Sequence, residues 1–129
     1  MNETVQKKTI LVVDDTPENI QVLIAVLGDK YKVKVAKDGE KALKIANASK
    51  PPDLILLDIL MPDMDGYEVC RRLKENDTTK DIPVIFVTGT EDSNDQQKGI
   101  DLGAFCIITK PVNPSVMHAN IKQALGISQ

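Results

Sequence analysis

Tryptophan is absent from this chain, and two tyrosines and two phenylalanines bring the aromatic share to only 3% of 129 residues. That scarcity excludes a surface that binds single-stranded nucleic acid by stacking bases on rings. Excess positive charge is missing too. The formal net charge is −3 and the pI about 5.1, which leaves no basic footprint for direct contact with nucleic acid. Cysteine is limited to Cys70 and Cys106, whose spacing matches neither a metal-binding nor a redox pattern. Both read as small buried hydrophobes in a reducing cytosol. No apolar run approaches the ~20 residues of a membrane span, and the start MNETVQKK lacks the apolar stretch of a signal peptide. Repeats, low-complexity tracts and linkers are also lacking. What remains is the length of one ordinary domain, able to bury roughly two-thirds of its unfolded surface without a disulfide, with the cytoplasm as its expected location.

Against these absences stand four short apolar runs, each stopping at polar residues. Ile10-Leu11-Val12-Val13 ends in Asp14-Asp15, and Leu54-Ile55-Leu56-Leu57 ends in Asp58. Val84-Ile85-Phe86-Val87 ends in Thr88, and Phe105-Cys106-Ile107-Ile108-Thr109 ends in Lys110-Pro111. Runs so rich in Val, Ile and Leu read as strands buried on both faces, as in a parallel sheet. In an open parallel sheet the ligand crevice lies outside the carboxyl ends of the strands. Four such strands would carry Asp14, Asp15, Asp58, Thr88 and Lys110 to one rim.

Helical patterns alternate with the strands. Thr16 is a candidate cap and Pro17 a candidate first residue of a helix. Ile20, Leu23, Ile24 and Leu27 follow at helical spacing, and Gly28 supplies the stop. Tyr31, Val33 and Val35 alternate with Lys32 and Lys34, the pattern of a half-exposed edge strand whose lysines discourage further pairing. Asp38-Gly39 opens a second helix through Ala42, Leu43 and Ala46. The loop Met61-Pro62-Asp63-Met64-Asp65-Gly66, in which the two methionines are expected to pack, leads into a third with Val69, Cys70 and Leu73. The fourth helix, roughly Ser93 to Leu102, is the weakest. Ile100 is its one clear apolar anchor, and Gly99 costs about 1 kcal/mol relative to alanine. So few apolar contacts make it the element expected to move. Asn113 and Pro114 cap and start a last helix through Ile121, Ala124 and Leu125, with His118 expected at its surface. The strict alternation predicts an α/β fold, a doubly wound five-stranded parallel sheet in a three-layer sandwich with right-handed crossovers.

The residue types on the rim suit a divalent cation beside a phosphoryl group. Mg2+ takes six oxygens, commonly from carboxylates, water and a substrate phosphate. Asp15 and Asp58 are natural direct ligands, and Asp14 can act through water. Without a cation, three neighbouring carboxylates cannot all ionise comfortably, so at least one pKa is expected to rise. A carboxylate is also a nucleophile toward phosphorus, giving an aspartyl phosphate. The charge on the phosphoryl oxygens then needs a cation on each side. Lys110 supplies a fixed one, Thr88 a hydroxyl donor, and Gly89 leaves room for a bulky donor molecule.

With these residues in place, the chain resembles the receiver domains of two-component response regulators from about Lys8 to Leu125. The matching pieces are VVDDTPEN at 12–19, LILLDILMPDMDGYE at 54–68, VIFVTGT at 84–90 and ITKPVNP at 108–114. The resemblance implies that residues 1–129 form a single receiver domain with the flavodoxin-like sheet order 2-1-3-4-5. It implies a switch that promotes only its own phosphorylation and dephosphorylation, rather than an enzyme. Asp58 would be the phosphoacceptor, Asp14 and Asp15 the acidic pair holding Mg2+, and the backbone carbonyl of Leu60 a further ligand. Thr88 and Lys110 would be the switch hydroxyl and the phosphate-binding lysine. The implied donor is a phosphohistidine on a sensor histidine kinase or phosphotransfer protein. The implied recipients of the signal are an output domain, a downstream protein or a second copy of the chain, with no direct contact to nucleic acid or membrane. The end of the chain fits either a complete single-domain regulator or a receiver joined to further polypeptide.

Certain positions depart from that pattern or tune it. The family usually carries Tyr or Phe three residues before the lysine. Here that residue is Ile107, which is stiff at χ1 and cannot swing a ring. Phe105 and Ile107 lie two apart and so share a face of the last strand. By the resemblance that face borders the output surface made by the fourth helix, fifth strand and fifth helix. It reads either as a partner or dimer surface or as packing beneath the weakest helix. Leu60 and Thr90, two residues beyond Asp58 and Thr88, flank the path of an attacking water. Neither is a strong base, so the phosphoryl group is expected to last minutes or longer. Rival readings fit less well. A Mg2+-dependent phosphohydrolase expects two aspartates one residue apart, which Asp14-Asp15-Thr16 does not offer. A flavin or nucleotide binder expects a glycine-rich or phosphate-binding loop after the first strand, and none is there.

Overall fold

The computed structural model describes residues 7–89 and 93–127. Five parallel strands, β1 (Thr9–Val13), β2 (Lys32–Ala36), β3 (Leu54–Leu57), β4 (Val84–Thr88) and β5 (Cys106–Thr109), form a sheet in the order β2-β1-β3-β4-β5. The helices are α1 (Pro17–Leu27), α2 (Gly39–Ala46), α3 (Gly66–Glu75), α4 (Ser93–Asp101) and α5 (Pro114–Leu125). This is the α/β arrangement that the alternation implies, in the flavodoxin-like sheet order that the resemblance implies.

Side-chain alternation along the strands divides the core into two halves. Leu11, Val13, Ile55, Leu57, Val84 and Phe86 meet Ala42 and Ala46 of α2 and Val69, Cys70 and Leu73 of α3. Ile10, Val12, Leu54, Leu56, Ile85 and Val87 turn the other way, onto Ile20, Leu23 and Leu27 of α1 and Met117 and Ile121 of α5. Each of these buried aliphatic side chains contributes about 1.5–3 kcal/mol, so the three central strands form the rigid floor beneath the rim. β2 is the edge, with Lys32 and Lys34 exposed and Tyr31 and Ala36 buried.

Asp38, Asp65 and Asn113 accept hydrogen bonds from backbone N–H groups in the first turns of α2, α3 and α5 and so hold those termini. Thr16 stands at the N-cap of α1, but its side chain makes no cap bond. Its own N–H donates instead to Asp14 Oδ1 at 2.9 Å, which ties the expected cap to the rim.

The structure corrects other expectations. Ile100 does not anchor α4: it is 42% exposed, while Gly99 is buried. A Cβ on Gly99 would lie 2.9 Å from Phe86 Cδ2 and 3.2 Å from Ile107 Cδ1, so α4 settles on the sheet through bare backbone. The helical spacing had no way to register a glycine as the inward-facing residue. His118 is half-buried rather than superficial. Its Nε2–H donates to the Val26 carbonyl at 2.8 Å, and its ring stacks on Tyr31, which ties α5 to the end of α1. Cys70 is buried as expected, but Cys106 is only half-buried, with Sγ 3.5 Å from Asn120 Oδ1. Among the described residues no helix is long and apolar enough to cross a membrane.

Candidate functional site

The rim is built by backbone hydrogen bonds that run on past the strand ends. Asp14 N–H donates to the Ala36 carbonyl at 3.2 Å, Asp58 N–H to the Val13 carbonyl at 2.9 Å, and Lys110 N–H to the Thr88 carbonyl at 2.8 Å. Pairing of Val13 with Leu57 and of Thr88 with Thr109 sets the register. Each residue just beyond a strand is therefore held in place before its side chain makes any contact.

The side chains converge. Carboxylate oxygens of Asp14, Asp15 and Asp58 lie within 4.8 Å of one another. Lys110 Nζ stands 3.2 Å from Asp14 Oδ2 and 3.6 Å from Asp58 Oδ1. Asp14 and Asp58 are only 1% and 7% exposed, so two carboxyls are withdrawn from water beside one ammonium. Thr88 is fully buried at the end of β4. The Leu60 side chain is 73% exposed, and Thr90 lies outside the described residues.

Burial pushes the Asp58 carboxyl up to about 6, and the neighbouring charges of Asp14 and, less strongly, Asp15 add to the rise. Lys110 and the Ile59 N–H, which donates to Asp58 Oδ1 at 2.9 Å, pull the other way. The rise expected from crowding is present, but withdrawal from water is its largest cause. A carboxyl strained in this way next to two others is a donor set that a small hard cation relieves, and its all-oxygen character fits Mg2+.

Two features of the site escape the sequence. Gly66 N–H donates to the Ile59 carbonyl at 2.7 Å, and a Cβ on Gly66 would overlap the Asp58 carbonyl oxygen. The N-terminus of α3 is thus pressed onto the backbone that carries Asp58. Asp65-Gly66 signals a helix start, but nothing in it signals that approach. The loop before it turns through Asp63 at φ 70°, with Met61 buried and Met64 packed against Gly39, as expected of the methionine pair. The second feature is a cleft of about 470 Å3 beside Lys110, lined by Asn19, Val22, Leu23, Val87, Pro111 and Val112. Its walls come from three separated stretches that only folding brings together.

The model of the response regulator receiver domain matches residues 10–122. The chain belongs to the response regulator receiver domains. The receiver is 44% identical over 119 residues to a probable cyclic di-GMP phosphodiesterase of Vibrio cholerae, a match covering 92% of the receiver but 27% of that protein. The receiver thus spans about a quarter of that relative's length. A putative response regulator of Chloroflexus aurantiacus superimposes with a TM-score of 0.89 at 32% identity, over 94% of the receiver and 99% of the other chain. The receiver domain of a Pseudomonas aeruginosa sensor histidine kinase, with a magnesium ion coordinated in its active site cleft, superimposes with a TM-score of 0.85 at 26% identity, over 94% and 99%. Receivers are regulatory phosphorylation switches of two-component systems, and this chain matches only the receiver part of relatives that carry catalytic output.

Proposed function

We propose that this receiver accepts a phosphoryl group on Asp58 from the phosphohistidine of a sensor histidine kinase or phosphotransfer protein. One observation carries the reading: Lys110 Nζ stands within 3.6 Å of both Asp14 and Asp58, in a site where three carboxylates lie within 4.8 Å. In the transfer, an Asp58 carboxylate oxygen forms a bond to phosphorus as the P–N bond of the donor breaks. The electron pair of that bond returns to the donor imidazole. Lys110 exchanges its carboxylate partners for phosphoryl oxygens, and the Thr88 hydroxyl donates to another of them. Asp14, Asp15, Asp58 and the Leu60 carbonyl are the groups that would hold Mg2+, whose charge would offset that of the phosphoryl group opposite Lys110. The cleft beside Lys110 offers the donor protein a seat next to the acceptor.

The phosphorylated state is read by an output domain, a downstream protein or a second copy of the chain at the surface of α4, β5 and α5. Of the apolar pair on that side, Ile107 packs beneath α4 at Gly99, whereas Phe105 stays open at 44% exposure. Phe105 is therefore the contact residue in this reading. Two cysteines without a disulfide support a reducing, cytoplasmic setting.

Incubation with acetyl phosphate and Mg2+, followed by intact mass measurement, tests the proposal. Wild type should gain a single phosphoryl group and Asp58→Ala none. Equal phosphorylation of the two proteins would move the acceptor elsewhere.

A further inference from the structure

The weakest helix has an attachment that the apolar pattern does not reveal. Ile100 faces away from the core, and Gly99 brings only backbone to Phe86 and Ile107. Tyr67, in the first turn of α3, reaches across to α4. Its hydroxyl donates to the Asp95 carbonyl at 2.9 Å. Its ring meets Phe86 edge-on at 5.7 Å between centroids, and Lys98 Nζ lies 4.4 Å from the ring centroid. One side chain therefore touches α4 at Asp95 and Lys98 and β4 at Phe86.

Both ends of this contact lead to the phosphorylation site. Tyr67 follows Gly66, whose N–H bonds to Ile59 and whose backbone presses on Asp58. Phe86 lies two residues before Thr88 on β4, so the two side chains share a face. A displacement of Thr88 toward a phosphoryl group on Asp58 thus reaches the Tyr67 ring through Phe86 and, through Tyr67, the first turn of α4, where Asp95 sits. One bond that resists this shift is the Tyr67 hydroxyl to the Asp95 carbonyl.

We propose that Tyr67 is the latch that holds α4 in its resting seat and that phosphorylation opens it. The inference rests on the switch reading above. Ile107 has no ring to swing, so the aromatic element of the switch is moved to the neighbouring helix. The latch is weak enough to open because Tyr67 is half-buried: its hydroxyl trades a carbonyl for water while its ring stays on Phe86. A directional hydrogen bond is also lost over a shift that leaves ring packing largely intact.

Amide hydrogen exchange across residues 93–101, read by mass spectrometry, tests the latch in wild type and Tyr67→Phe. The measurements are made with Mg2+ alone and with Mg2+ plus beryllofluoride as the phosphoryl mimic. Tyr67→Phe keeps the ring and deletes only the hydroxyl. With Mg2+ alone its α4 amides should exchange about fivefold faster than wild type, the effect of losing one ordinary hydrogen bond. By linkage, beryllofluoride should bind the variant tighter by a similar factor, and with the mimic bound the two proteins should exchange alike. Lys98→Met, which removes the cation but not the hydroxyl bond, should change α4 exchange less than twofold. Wild-type exchange in Tyr67→Phe, or a difference that persists with the mimic bound, would overturn the proposal. Beryllofluoride without effect on wild type would instead overturn the switch reading, and α4 exchange in Mg2+ alone would still decide the latch.

Discussion

At the scale of single residues, burial and charge act against each other in Asp58. Its carboxyl titrates at about 6 in the fold, against 3.8 for the ordinary group. Between these values the native state keeps a proton that the unfolded chain has already released. Stability from this group is therefore full below the unfolded pKa, falls as pH rises toward 6, and stays reduced above it. The reduction at neutral pH is on the order of 2–3 kcal/mol. Asp58→Asn should accordingly be more stable than wild type by about 2 kcal/mol at pH 7.5 without divalent cation. Urea melts should show the gap narrowing at pH 4.5, and a gap independent of pH would contradict the burial argument. The burial of Asp58 thus carries a cost in stability, one that the three central strands can offset.

At the scale of elements, the proposed readout depends on α4 and β5. β5 is an edge strand whose residues, Ile108 apart, are only partly covered, unlike the buried β3 and β4. Phe105 precedes it, bonded through its N–H to the Val84 carbonyl at 2.7 Å, so its backbone is fixed while its ring is free to meet a partner. Phe105→Ser should leave Asp58 phosphorylation unchanged and weaken association in sedimentation runs with beryllofluoride. Association equal to wild type would assign Phe105 to the solvent. Sequence periodicity worked best for elements with several apolar residues on one face: α3 buries Val69, Cys70 and Leu73, and α1 buries Ile20, Leu23 and Leu27 but leaves Ile24 41% exposed, while α5 buries Ile121 with Ala124 and Leu125 half-buried. It failed for α4, where the contact is a missing side chain at Gly99 and a hydroxyl supplied by another helix. It also misplaced His118, because the bond to Val26 comes from α1, ninety-two positions away.

At the scale of the whole molecule, cation binding and folding are one equilibrium. The three carboxylates repel one another in the fold and lie far apart in the unfolded chain, so Mg2+ held among them, as proposed, would bind the native state preferentially. A concentration 100 times the dissociation constant should stabilise the receiver by about 2.7 kcal/mol. Thermal melts at pH 7.5 should show this gain, and a chelator should abolish it. At pH 4.5, where Asp58 is protonated, the gain should largely vanish. An equal gain at both pH values would place the ion away from Asp58.

The amino-acid sequence by itself determined the layers, the strand ends and the acid, hydroxyl and lysine that stand there, because these follow from local apolar runs and the polar residues that terminate them. Sheet order and site roles came from the resemblance carried by those same motifs. Only the tertiary structure decided that Lys110 sits nearer Asp14 than Asp58, that Gly66 presses on the Asp58 backbone, and that Tyr67 reaches α4. Such contacts join residues distant along the chain through side-chain reach and the absence of a Cβ, quantities that no periodic pattern encodes.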